Sequence, residues 1–138
     1  MKNRIRNFVV GAGVAAVMCA PLLKAQDVLE VANVPFDFHV NQATLPAGAY
    51  VVFTHANGQS LQLRNEETGK SILILPPGRD TGKGEPQLTF HRYGNHYFLA
   101  EVWAPGATGY IMKKSSLERE LEKGDARPTF AYVPMVRQ

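Results

Sequence analysis

The chain has 138 residues, of which 15 are basic and 12 acidic, for a formal net charge of +3. The excess belongs to one end: Lys2, Arg4, Arg6 and Lys24 precede residue 26 and every acidic residue follows it, so the remaining 113 residues carry a formal −1. A near-neutral body gives no electrostatic case for nucleic acid or for an anionic membrane surface, and its length suits one domain around one core.

Residues 1–25 read as a secretory signal peptide. Lys2, Arg4 and Arg6 form a positive start, an apolar stretch runs from Phe8 to about Leu23, and Leu23-Lys24-Ala25 ends on a small residue suited to cleavage. The only cysteine, Cys19, lies in this segment, so the domain at 26–138 has no disulfide to lean on. Ala16, Val17 and Met18 before Cys19 fit a lipidation signal poorly. The uncharged run from Asn7 to Leu23 has 17 residues and is interrupted by Gly11, Gly13 and Pro21, at the short end for a membrane span. Membrane attachment is therefore restricted to an uncleaved leader or to lipid on Cys19. The expected location is periplasmic or extracellular.

The rest of the chain reads as short strands parted by turn residues. Val34, Phe36, Phe38 and Val40 alternate with Pro35, Asp37 and His39, which predicts a strand with one buried face. On that pattern Phe36 and Phe38 are core, as is Leu99 later in the chain, while Asp37 and His39 are not. Leu45-Pro46-Ala47-Gly48 is a turn, and Ala49 to His55 is again strand-like. Asn57-Gly58 marks a hairpin leading to Leu61-Gln62-Leu63-Arg64. A turn at Glu67-Thr68-Gly69-Lys70 precedes Ser71 to Leu75, whose continuous apolar run predicts a central strand covered on both faces. Pro76 to Pro86 is expected to be an irregular surface loop.

Gln87 to Tyr93 and His96 to Trp103 form a predicted hairpin across Gly94-Asn95. A two-residue turn would pair Tyr93 with His96, Arg92 with Tyr97, His91 with Phe98 and Phe90 with Leu99. Either face could be the inner one; Leu88, Phe90, Leu99 and Trp103 offer the larger apolar area. Pro105 to Gly109 breaks the pattern. The only helix is expected at about 115–123, with Ser115 as cap, Glu118 completing a capping box and Gly124 as the stop. Its apolar stripe is only Leu117 and Leu121, enough to lean on a sheet edge. Thr129 to Val136 reads as a last strand weakened by Pro134. The fold expected is all-β, about seven antiparallel strands in a sandwich or flattened barrel, with that one short helix.

Val34-Pro35-Phe36-Asp37-Phe38-His39-Val40 followed by Leu45-Pro46-Ala47-Gly48-Ala49-Tyr50 resembles the opening of a group of small, signal-bearing bacterial secreted β-proteins with no established activity. The run from Phe90 to Trp103 resembles their second half, and Lys113 to Glu120 is similar to their short helix. The likeness spans residues 33–123; the tail after Gly124 is longer and more aromatic than in that group. The resemblance implies a secreted β-domain and supplies no site residue.

The densest polar and aromatic cluster is the hairpin tip, and His91, Arg92, Tyr93, His96 and Tyr97 are the candidate binding residues. Tyrosine and arginine bury much area and still offer hydrogen bonds, the combination enriched at binding hot spots. The same tip could instead cap the core. His91 and His96 would share a face, but a metal site needs further ligands, and only His39 or His55 could supply them. Arg92 opposite Tyr97 suits a cation–π pair. Asp37 and Glu101 have no spacing that makes them a hydrolytic pair, no serine sits in a nucleophile elbow, and Lys113-Lys114 with the charges of Glu118 to Lys123 suits a solvated helix. No catalytic residue, metal or cofactor is assigned. The leading expectation is a non-enzymatic envelope or secreted interaction domain whose partner is an unidentified protein or envelope component. The alternative is a small barrel carrying an apolar ligand in a cavity lined by Phe36, Phe38, Phe90 and Trp103; an enzyme comes third. N-terminal sequencing of the exported form should find Gln26 first, because Pro21 obstructs cleavage after Ala20; a lipid-bearing start at Cys19 would refute this.

Overall fold

The computed structural model describes residues 27–55, 60–80, 85–104, 108–124 and 127–137. The expected signal segment with Cys19 and Ala25, the Asn57-Gly58 turn and parts of the 76–86 and 105–109 stretches lie outside the described residues. Among the described residues eleven strands and one helix follow in order. They are β1 (Asp27–Val34), β2 (Phe38–Val40), β3 (Ala43–Leu45), β4 (Gly48–His55), β5 (Leu61–Asn65) and β6 (Ser71–Ile74). Then come β7 (Gly78–Asp80), β8 (Gln87–Tyr93), β9 (His96–Ala104), β10 (Thr108–Ile111), α1 (Ser116–Lys123) and β11 (Thr129–Arg137). The all-β expectation with one late helix holds. The strand count of about seven was too low, because β2, β3 and β7 are three residues each, too short to show a period.

The strands join one sheet in the order β3-β2-β9-β8-β11-β1-β4-β5-β6, with β10 beside β9 and β7 beside β10. Its pairings are antiparallel except that β2 meets β9 in parallel at His39 and Phe98. The sheet curls into a half-barrel. Phe38, Tyr50, Leu61, Leu63, Leu88 and Phe90 are among the fully buried side chains of its concave face. β11 reaches the middle of the sheet, between β8 and β1.

The predicted strand from Val34 to Val40 is two strands. Pro35 has no N–H to give a ladder, and the Asp37 carboxylate accepts the Ala47 N–H at 2.9 Å, so the chain turns out of β1 before entering β2. The alternation nevertheless placed the side chains well: Phe38 and Leu99 are buried, Phe36 packs against the core, Asp37 is exposed and His39 is half-buried. Asn41 takes a left-handed φ of 54° in the tight turn into β3, a conformation asparagine tolerates better than most residues.

Three further expectations are overturned. The 76–86 stretch is not irregular throughout, because Gly78–Asp80 form β7 against β10. The Ser71–Leu75 run is not a central strand: β6 ends the sheet, with Ile74 inside and Leu73 and Leu75 outside, 59 % and 71 % exposed. A short apolar run does not reveal how many neighbours a strand has. Trp103 is not on the core face. The pairing runs as read from Tyr93–His96 to Phe90–Leu99, then shifts so that Thr89 meets Glu101 and Leu88 meets Val102. Ala100 is the extra residue, and an extra residue reverses the facing of everything beyond it. Val102 and Ala104 turn inward, while Trp103 lies on Gly109, where an added Cβ would come within 2.8 Å of the indole.

Phe38 meets Tyr50 and Phe90 edge-on at centroid distances of 5.2 and 5.4 Å. Phe38→Ala should lower stability by about 3–5 kcal/mol in urea unfolding, and His39→Ala, at a half-buried ring, by less than about 1 kcal/mol. Equal small losses would contradict this packing.

Candidate functional site

The Gly94-Asn95 turn forms as the sequence implied, with Gly94 at a φ of 61°, and it aligns the five candidate residues in the predicted register. They do not form one exposed patch. Tyr93 is buried, His91 and Tyr97 are half-buried, and only Arg92 and His96 are exposed. Tyr97 stacks on Phe36 at 3.7 Å with the rings 9° from parallel. Arg92 donates from Nε to the Gly94 carbonyl at 2.8 Å, and its guanidinium lies 5.4 Å from the Tyr97 ring centroid, the predicted cation–π pair.

His91 and Tyr93 point outward beneath α1. Glu118 is buried there, and its Oε2 lies 2.8 Å from His91 Nδ1 and 3.1 Å from the Tyr93 hydroxyl. The hydroxyl is also 3.2 Å from Oε1 of Glu122, which pairs with Lys114 Nζ. His91 Nδ1 and the Tyr93 hydroxyl thus meet on one carboxylate oxygen. Burial, with the two carboxylates next to it, pushes the Tyr93 phenol well above its ordinary 10.0. The hydrogen bond from Lys114 holds Glu122 below the ordinary 4.5. Tyr93 therefore stays a neutral donor across physiological pH. A phenol raised on folding contributes stability fully present below 10, lost as alkali deprotonates the unfolded chain first.

Sequence reasoning missed this hub. It gave Glu118 to a capping box and the helix's contact face to Leu117 and Leu121. The cap is real: Ser115 Oγ accepts the Glu118 N–H at 3.2 Å, and the Gly124 N–H closes the last turn on Glu120. The Glu118 side chain, however, turns to the sheet, while Leu117 is exposed. The available signal was the i, i+4 spacing of Glu118 and Glu122, which places both on one helix face.

The histidines separate. His96 sits 5.7 Å from His39, ring to ring, and both flank Phe98. Burial first, and His96 second, lower the His39 pKa from 6.5. The His55 side chain lies outside the described residues. Among the described residues no three His, Cys, Asp or Glu side chains converge as a metal site would need. Glu101 accepts the Trp103 indole N–H at 2.9 Å within β9, and Asp37 accepts the Ala47 N–H.

Beside the hub, β11 turns Phe130 and Tyr132 outward, 57 % and 59 % exposed, with Phe130 edge-on to His91 at 5.3 Å. These two rings extend the tip surface and were not among the predicted residues. No protein-family model, curated protein or solved structure matches the chain.

Tyr93→Ala should cost more than about 2 kcal/mol, since it opens a void and strips a buried carboxylate of a donor; Arg92→Ala should cost less than about 0.5 kcal/mol. Urea unfolding of both variants checks the order, and the reverse order would remove the hub from the account.

Proposed function

We propose that residues 26–138 form an exported, non-enzymatic interaction domain that works in the periplasm or outside the cell and binds a protein or another envelope component. The leader-like segment and the likeness to small secreted β-proteins support export. The observation that carries the interaction reading is the distribution of apolar area. Phe36 and Phe38 each meet Phe90 edge-on, at 4.9 and 5.4 Å, so these rings occupy the space in which a carrier would hold its ligand. Phe130, Tyr132, Leu73 and Leu75 meanwhile face solvent. Exposed aromatic and aliphatic groups around polar neighbours are what a protein partner covers.

The tip enters this reading in altered form. Arg92 and His96 remain accessible, and Phe130 and Tyr132 supply apolar area beside His91. Catalysis would need titratable groups converging on an open cleft; Glu118 and Glu122 are instead engaged by His91, Tyr93 and Lys114 under the helix.

Crosslinking in the exporting cell, followed by native mass spectrometry, tests the proposal. A discrete protein adduct on a chain of ligand-free mass is expected. A stoichiometric small apolar ligand would overturn the proposal in favour of the carrier, and a crosslinked fraction with no adduct would overturn it outright.

A further inference from the structure

The half-barrel has a seam. β3 and β6 end the sheet path, and among the described residues each pairs on one side only, β3 with β2 and β6 with β5. Two grooves run between these ends. One, of about 190 Å³, has Thr44 and Leu45 on the β3 side and Ser71 and Ile72 on the β6 side. The other, of about 470 Å³, sets Asn41 and Gln42 of the β2–β3 turn against Leu73, Leu75 and Pro77. Between them the grooves reach Ser71, Ile72 and Leu73 of β6.

Three features of the seam point to the same kind of occupant. Edge strands are ordinarily blunted by lysine, proline or a bulge, yet Ser71-Ile72-Leu73-Ile74 carries no charge and no proline. Its free backbone groups and exposed leucine suit strand addition. The lining is also of one sign: Lys70, Lys113, Lys114 and Arg119 contribute to the two grooves, and among the described residues no aspartate or glutamate does. Lys114 is paired with Glu122, whereas Lys113 and Arg119 make no ion pair among the described residues. The seam is therefore an apolar edge with unmatched positive charge along it.

We propose that the seam between β3 and β6 binds an extended acidic segment of a partner protein, about six residues with apolar side chains alternating with carboxylates, by adding it as a strand to β6. Apolar side chains would sit against Leu45 and Ile72, and carboxylates would meet Lys113 and Arg119. This rests on the interaction reading above and names its partner's chemistry.

The probe is a capped hexapeptide alternating valine and glutamate, with a valine–lysine peptide of the same length as its counterpart. Amide hydrogen exchange on the processed chain reads the site, and titration reads affinity. The glutamate peptide should slow exchange in β6 and bind at least about tenfold tighter than the lysine peptide, a difference of about 1.4 kcal/mol. K113E combined with R119E alters two exposed side chains and should reverse the preference without moving the unfolding midpoint. Equal affinity for both peptides, protection outside β6, or an unreversed preference in the double variant would overturn the proposal. So would binding to anionic lipid vesicles with none to either peptide. If the seam proposal fails while the in-cell adduct persists, the partner docks elsewhere; if the adduct is absent, the interaction reading itself has failed.

Discussion

The ring of Phe38 is the contact on which the curl of this sheet depends. β2 is three residues long and meets β9 through a single parallel pairing, far too little backbone to hold a strand. The side chain does the holding. Phe38 bridges Tyr50 on β4 and Phe90 on β8, strands that lie far apart along the sheet path. Joining them bends the sheet over itself. The body has no cysteine to staple this shape, so the aromatic contacts carry it. Tyr50 extends the anchorage: its hydroxyl donates to the Pro46 carbonyl at 2.5 Å and fixes the turn between β3 and β4.

What was legible in the sequence was local. The Gly94-Asn95 hairpin and its first four pairings follow from turn chemistry, the helix from its cap, and the tail strand from β-rich composition. What was illegible needed information from across the sheet. Nothing near Ala100 announces a bulge, so Trp103 and Val102 exchanged faces. Nothing in Ile72-Leu73-Ile74-Leu75 states whether a second neighbour exists, so an edge read as a centre. The candidate site suffered in the same way. His91 and Tyr93 look like surface groups until Glu118, some 25 positions later, is placed over them.

The way α1 docks has a consequence for specificity. An eight-residue helix is marginal alone, and this one offers the sheet two carboxylates instead of an apolar stripe. Hydrophobic docking would tolerate sliding; a carboxylate oxygen fixed by an imidazole and a phenol at 2.8 and 3.1 Å does not. The hub thus fixes the helix's position, and with it the positions of Lys113 and Arg119 beside the β3–β6 opening. The charges that give that opening its sign are held in place by residues of the hairpin that looked, in the sequence, like the binding surface itself.

That arrangement also explains why an unblunted edge is tolerable here. A flat apolar edge in the open invites pairing with any exposed strand. β6 shares its grooves with β3 and the β2–β3 turn, and Lys113 and Arg119 line the larger of them. A second copy would bring Lys113 and Arg119 against their own kind, so self-pairing along this edge meets like-charge repulsion, whereas an acidic strand meets attraction. The same cations that would draw a carboxylate-bearing segment into the seam work against the edge-to-edge association that its leucines and isoleucines would otherwise favour.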